Sequence, residues 1–265
     1  SIIKQEEKTA HKMIRISQWY GRLGNNIQQC AVGTMAAELT QSTFESIEHQ
    51  IIKKHTTSFG QNNPEIRLAK CFYWKDSKKE FVYKNIRQIC KTYIEPHVQA
   101  PRLALPDNCI VIHIRSGDLF DTQPCINNNY VPNPLYFYMK LVEQFQQAIV
   151  VTEGDNHNPI LDELRKNPKI TIQSKSVAED FGTLLSAKHL ASSGVGTFAI
   201  AAALCSHNIE TLHCTDLSLT AHLNYKMLQG TDVKVSLTPL DDYIKIGEWT
   251  NSDEQRKYIL EYDSF

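Results

Sequence analysis

In the second half of the chain, apolar and polar positions fall into short blocks that switch between strand and helix periods. Residues 109–114 (CIVIHI) form a nearly continuous apolar run, the pattern of a parallel strand buried on both faces. A polar loop over 115–133 follows, then a helical pattern over 134–146 and a strand over 148–152. Further strands are predicted over 169–172, 189–192 and 210–213, with helices over 160–166, 177–187 and 197–205. Strands alternating with helices of about ten residues specify a doubly wound parallel sheet. Sheets of this kind bind ligands beyond the carboxyl ends of their strands.

The first half is sparser. Residues 13–17 (MIRIS) alternate as a strand does and lead into Gly21-Arg22-Leu23-Gly24-Asn25-Asn26, after which a helix is predicted over 27–39. Between 41 and 95 the pattern is mixed: short apolar runs at 51–52 and 71–74, and a helix predicted over 81–93. Residues 96–106 carry three prolines in eleven positions and break any regular element. A boundary in this stretch gives two domains, 1–105 and 106–265.

Composition then narrows the possibilities. At 42% hydrophobic and 22% charged the chain is of globular type, and 28 basic against 29 acidic residues leave no electrostatic footprint for nucleic acid or an anionic membrane. An anionic ligand must therefore be met by a local site. The seven cysteines are scattered, without C-x-x-C or zinc spacing, and read as reduced core thiols. None of the sixteen asparagines lies in an N-x-[ST] acceptor, and no apolar run is long enough for a membrane span. The expectation is a cytoplasmic protein, or a domain excised from a longer polypeptide, as Ser1 in place of an initiator Met suggests.

Three segments carry candidate chemistry. In the Gly21–Asn25 stretch, glycines let backbone approach a ligand at a helix N-terminus, and Arg22 and Asn25 add a guanidinium and an amide. The same residues also read as a plain turn with a solvated arginine. In His113-Ile114-Arg115-Ser116-Gly117-Asp118, alternation puts His113 and Arg115 on one side of the chain as it leaves the sheet. An arginine there can grip two oxygens of a pyrophosphate; equally, His113 could be a core histidine and Asp118 a turn residue. Ser192-Ser193-Gly194-Val195-Gly196-Thr197 offers hydroxyls, permissive backbone and the start of the next helix, or a tight turn of small residues. Asp241-Asp242 lacks metal-site spacing, His207 and His213 share no ligand pattern, and Trp19, Tyr20 and Trp249 read as core or rim aromatics. The absence of G-x-G-x-x-G argues against a nicotinamide site.

Taken in order, GRLGN, HIRSGD and the late SxGTF segment resemble the inverting fucosyltransferase superfamily of α1,2-, α1,6- and protein O-fucosyltransferases, the α1,2 group most closely. The resemblance implies a glycosyltransferase B fold: two Rossmann-like domains facing across a cleft, here with a small N-terminal, acceptor-side one. It implies transfer of L-fucose from GDP-fucose to a hydroxyl of a glycan or glycoprotein acceptor, with inversion and without a metal. Arg115 would grip the β-phosphate, Gly196, Thr197 and Phe198 would line the phosphate turn, and His113 with Asp180 would contact guanine. Arg22, Gly24 and Asn25 would serve the reacting sugar and acceptor, with Asp118 or Asp121 as the base. The chain departs from the family pattern at Ser116, where a second arginine is usual, at Gly196, where serine is usual, and at Asn26 in place of glutamine. Its length resembles compact microbial or virus-encoded domains that are fused to other transferases and, when virus-encoded, act in host cytoplasm. Two other readings stay open: a non-catalytic nucleotide- or glycan-binding module of the same fold, and a transferase using another nucleotide sugar.

Overall fold

The computed structural model describes residues 13–62, 73–121, 127–154 and 157–263. The leader over 1–12, part of the apolar run at 71–74, and Cys71 and Cys125 lie outside the described residues. The chain divides into two compact units, Ser1–Gln99 and Ala100–Phe265.

The first unit holds a three-stranded sheet, β1 (Ile14–Arg15), β2 (Thr43–Glu45) and β3 (Thr56–Ser58), with β1 parallel to β2 and β2 antiparallel to β3. Helix α1 (Leu23–Thr40) makes the crossover between β1 and β2, and α2 (Lys79–Ile89) passes into a π-helical turn over Cys90–Ile94. Among the described residues this is one βαβ crossover plus a hairpin, with fewer parallel strands than a doubly wound domain. Helix α1 begins at Leu23, four residues before the predicted start at 27, so Gly24 and Asn25 lie in its first turn and not in a loop. The physical reason is that its early polar side chains are core groups. Asn26 and Gln29 are buried and bonded inward, so the helix carries no clean apolar stripe at its start.

The second unit is built on six parallel strands: β4 (Cys109–Ile114), β5 (Gln147–Thr152), β6 (Ile170–Gln173), β7 (His189–Ala191), β8 (Thr211–Thr215) and β9 (Lys234–Thr238). Their spatial order is β6-β5-β4-β7-β8-β9. Counted from β4, this is 3-2-1-4-5-6, the order of dinucleotide-binding doubly wound sheets, with its switch point between β4 and β7. Helices α3 (Leu135–Glu143), α4 (Pro159–Leu164) and the C-terminal α7 (Asp253–Glu261) pack on one face, where Ile110, Ile112, Ile114, Phe137, Leu161 and Ile259 share a core. Helices α5 (Val177–Ser186) and α6 (Phe198–Cys205) cover the other face. All six residues of β4 are buried, as its unbroken apolar run requires at the centre of a covered sheet. Strand β9 and helix α7 have no counterpart among the predicted elements. Both are half-exposed or polar, and their apolar periodicity is correspondingly weak.

The division at 99/100 falls ahead of the expected 105/106 boundary because residues 101–103 dock on α5. A Cβ on Gly182 would lie 1.9 Å from the Pro101 carbonyl oxygen, so only glycine admits that backbone. The Leu103 N–H then donates to Ser186 Oγ at 2.8 Å, and Ser186 Oγ donates to the Gly182 carbonyl. Five described cysteines, Cys30, Cys90, Cys109, Cys205 and Cys214, are buried free thiols. Among the described residues no helix is long and apolar enough to cross a membrane.

Two expectations follow. Gly182→Ala forces its methyl into the Pro101 carbonyl and should cost about 1–3 kcal/mol, read as a lowered urea midpoint. His213 on β8 is buried, its Nε2 without a hydrogen-bond partner among the described residues; burial, with nearby His189 and Lys234, pushes its pKa down to about 4. The folded state therefore keeps His213 neutral while the unfolded chain takes up a proton below about pH 6.5. Its contribution to stability should be complete above that pH and fall between pH 6.5 and about 4. His213→Phe should flatten that part of the stability profile.

Candidate functional site

The carboxyl edge of the second sheet gathers the loops that follow β4, β5, β7 and β8. At the switch point the chain leaves β4 through Arg115 and leaves β7 through Ser192–Thr197. The connections to either side run to opposite faces of the sheet and leave a crevice between them.

Two buried polar constructions fix these loops. Ser116, fully buried, stands in a one-way chain of donors: Asn158 Nδ2 donates to Ser116 Oγ at 3.0 Å and Thr152 Oγ1 donates to the Ile114 carbonyl at 2.8 Å. Because the Thr152 proton is committed to Ile114, Ser116 Oγ is the donor in its 3.0 Å bond with Thr152 Oγ1. This chain ties the exits of β4 and β5 to the start of α4.

Asn133 is the second construction. It is fully buried, its Nδ2 donates to the Ser192 carbonyl at 3.0 Å, and its Oδ1 accepts from Thr215 Oγ1 at 2.6 Å. Its side chain also hydrogen-bonds the buried Tyr138, whose hydroxyl burial pushes far above the ordinary tyrosine range. Pro132 pairs with Gly194 as an antiparallel bridge. Gly194 adopts φ +91°, and a Cβ there would meet the Val131 carbonyl at 2.8 Å, so the approach requires glycine. From the C-terminal segment, Tyr243 donates to the Pro132 carbonyl at 2.8 Å and Trp249 Nε1 to the Leu119 carbonyl at 3.0 Å. Trp249 is thus a core brace of the site loop.

Arg115 leaves this frame with its side chain 16% exposed. Its guanidinium lies 4.1 Å from the centre of the Tyr130 ring and donates to Asp118 through two nitrogens, Nε to Oδ1 at 3.2 Å and Nη2 to Oδ2 at 2.8 Å. Burial opposes the charge, but the Asp118 bonds and the attraction of Asp118, Tyr130 and Glu153 outweigh it and hold the Arg115 pKa above its ordinary value. The Glu153 carboxylate packs over Gly117 in the same turn.

His113 is buried on β4, its ring 5.0 Å from that of Phe198, which in turn lies 5.3 Å from Phe181. Phe198 opens α6, Thr197 is its N-cap without a side-chain capping bond, and Gly196 is half-buried in the preceding turn. The fold therefore collects His113, Thr197 and Phe198 in one neighbourhood. Asp180, expected at guanine, is buried on α5 beside Phe181, where its carboxylate accepts from Gln173 Nε2 at 2.9 Å and from the Lys175 N–H at 3.1 Å. It pins the β6–α5 turn. Asp118 is bound to Arg115 by both oxygens, an arrangement that lowers its strength as a base while the pair lasts. Asp121 is exposed, and its carbonyl accepts from Asn251 Nδ2. Within the polar loop over 115–133, residues 122–126 lie outside the described residues.

Arg22, Gly24 and Asn25 belong to the first unit. There Asn26 Nδ2 donates to the Tyr20 carbonyl, Gln29 Nε2 to the Gln18 carbonyl and Trp19 Nε1 to the Glu48 carbonyl. His49 Nδ1 accepts from the Ile51 and Ile52 N–H groups, so its Nε2 carries the proton and donates to Asn26 Oδ1 at 3.0 Å. This network holds the turn that presents Arg22 at the N-cap of α1. Asn26, which departs from the fucosyltransferase pattern, is its centre.

Sequence reading missed Asn133, Tyr130 and Glu153. The available signal for Asn133 was an amide between two prolines just ahead of a helix. Among the described residues no group of three or more His, Cys, Asp or Glu side chains is placed to hold a metal ion. Compared with family models, with curated proteins and with solved structures, the chain matches none.

Asn133→Ala leaves the Ser192 carbonyl and the Thr215 hydroxyl without this partner in a dry setting. It should cost about 1–3 kcal/mol in chemical denaturation.

Proposed function

We propose that the chain is an inverting glycosyltransferase of glycosyltransferase B type that moves L-fucose from GDP-fucose to a glycan hydroxyl, with the second unit holding the donor. The observation that carries the reading is the switch-point crevice, where a buried arginine, a histidine–phenylalanine ring pair and the start of a helix share one edge of a six-stranded parallel sheet. An arginine fork and the N–H groups of a helix start suit the charge that builds on a departing diphosphate. The ring pair offers a flat, half-apolar surface of the kind a nucleobase packs against. Arg22, Gly24 and Asn25 in the first unit are assigned to the sugar and acceptor.

In the proposed reaction the acceptor hydroxyl gives its proton to a carboxylate, Asp118 or Asp121, and its oxygen forms the new bond to the anomeric carbon. The bond from that carbon to the diphosphate breaks with its electron pair on GDP, through an oxocarbenium-like transition state. Arg115 and the N–H groups of the Ser192–Thr197 turn receive the charge. The cytoplasm is the proposed location.

A second reading, a non-catalytic nucleotide-binding module, is favoured by one observation: Ser116 is locked into the fold where the family carries a second arginine. Transfer of labelled fucose to any acceptor would exclude it. For the main reading, GDP should raise the melting temperature while UDP leaves it unchanged, and Arg115→Ala should abolish both the shift and the transfer. Protection by UDP and none by GDP would remove the GDP-fucose assignment.

A further inference from the structure

The Arg115–Asp118 pair is asymmetric. The arginine side chain is 16% exposed and the aspartate 55% exposed, so one partner is fixed in a dry site and the other stands in water. The two carboxylate oxygens take the Nε and Nη2 positions, the edge of a guanidinium that also receives two phosphate oxygens side by side. A mostly covered guanidinium without a counter-ion is costly, so states with an anion in the seat are favoured. The exposed aspartate regains water when it leaves, which offsets part of the loss of its bonds to Arg115. The arginine is also held from behind, by the Tyr130 ring and by the attraction of Glu153.

We propose that Asp118 is the resident occupant of a bidentate oxyanion seat on Arg115, and that a diphosphate enters by exchange, carboxylate out and phosphate in. This rests on the reading that Arg115 binds the donor diphosphate, and adds to it how the site is kept and opened. No covalent bond changes in the exchange. Arg115, Asp118 and Glu153 together carry net charge −1, so the unliganded turn does not attract small anions indiscriminately. A phosphate competes because it brings more charge than a single carboxylate and takes further N–H donors in the crevice. The apparent affinity is then the intrinsic affinity reduced by the fraction of molecules in which Asp118 has left. Exchange also releases a carboxylate into water beside the bound donor, which couples donor entry to the appearance of a base.

The test is calorimetric titration of the full chain with GDP, inorganic pyrophosphate and citrate. Asp118→Asn and Asp118→Ala should bind GDP and pyrophosphate about three- to ten-fold more tightly than wild type, the range expected when a half-exposed ion pair no longer competes. Arg115→Ala should lose both ligands, and citrate should bind weakly throughout. Equal or weaker binding by both Asp118 variants, with binding still lost in Arg115→Ala, overturns the exchange and leaves the donor reading intact. Wild-type affinity in Arg115→Ala overturns both, and tighter binding of citrate than of pyrophosphate overturns the phosphate preference. Should the variants fail to fold, wild type labelled with 13C at aspartate carboxylates serves: the Asp118 signal should move on addition of pyrophosphate, and a stationary signal rejects the exchange.

Discussion

Six parallel strands need a crossover at every step, and where the crossovers change direction no connection closes over the sheet. Between β4 and β7 this leaves backbone carbonyls and loop amides facing a crevice that neighbouring strands cannot satisfy. Asn133 meets that need on one side by joining the Ser192 carbonyl to Thr215, and Ser116 meets it on the other by joining Asn158 to Thr152. Everything proposed for the site depends on those two side chains. Ser116 ties the exit of β4 to β5 and the start of α4, and Asn133 ties the β4–α3 loop to the ends of β7 and β8, so the spacing of these loops is a property of the fold.

The near-neutral chain and the mostly covered Arg115 belong together. With 28 basic and 29 acidic side chains, long-range attraction of an anion is negligible, and recognition must come from desolvated contacts. Arg115 supplies such a contact because Tyr130 and the surrounding loop strip water from it, which strengthens its hold on whatever anion it faces. The same desolvation makes the arginine unable to stand alone. Asp118 and Glu153 supply the negative charge it faces, and the three side chains together carry net charge −1.

How much of this could be read in the sequence depends on which side chains advertise their environment. CIVIHI announces a doubly covered strand because every residue is buried, and β4 spans those six residues. The helices that flank the sheet lie within a few residues of their predicted bounds; α3 and α5 carry apolar stripes, and α6 is apolar on every side. Helix α1 starts early because Asn26 and Gln29 are core groups, a fact their polarity conceals. Strand β9 and helix α7 hide for the opposite reason, since half-exposed elements keep polar positions on both sides of the pattern. At the site, chemical type singles out Arg115, His113 and Asp180 alike, and the bonds Asp180 accepts from Gln173 and the Lys175 N–H are invisible in sequence, where a carboxylate that pins a turn and one that meets a base look the same. Asn133 carries only a faint signal for a related reason: its three partners come from the end of β7, from β8 and from α3, and only the fold makes them neighbours.

Ser116 shows why one departure from a family pattern can follow from another part of the structure. Its hydroxyl lies in a buried relay in which each donor is already committed, and a guanidinium at that position would leave Asn158 Nδ2 without the acceptor it has here, while Thr152 keeps its bond to Ile114. A chain that spends residue 116 on holding its loops has one guanidinium at this turn in place of two. That single charge is the counter-ion of Asp118, and under the proposed exchange it is also the grip on a ligand. Where a pair of arginines could divide these tasks, one arginine would perform them in succession, so under that exchange the carboxylate paired with Arg115 is the group a ligand displaces.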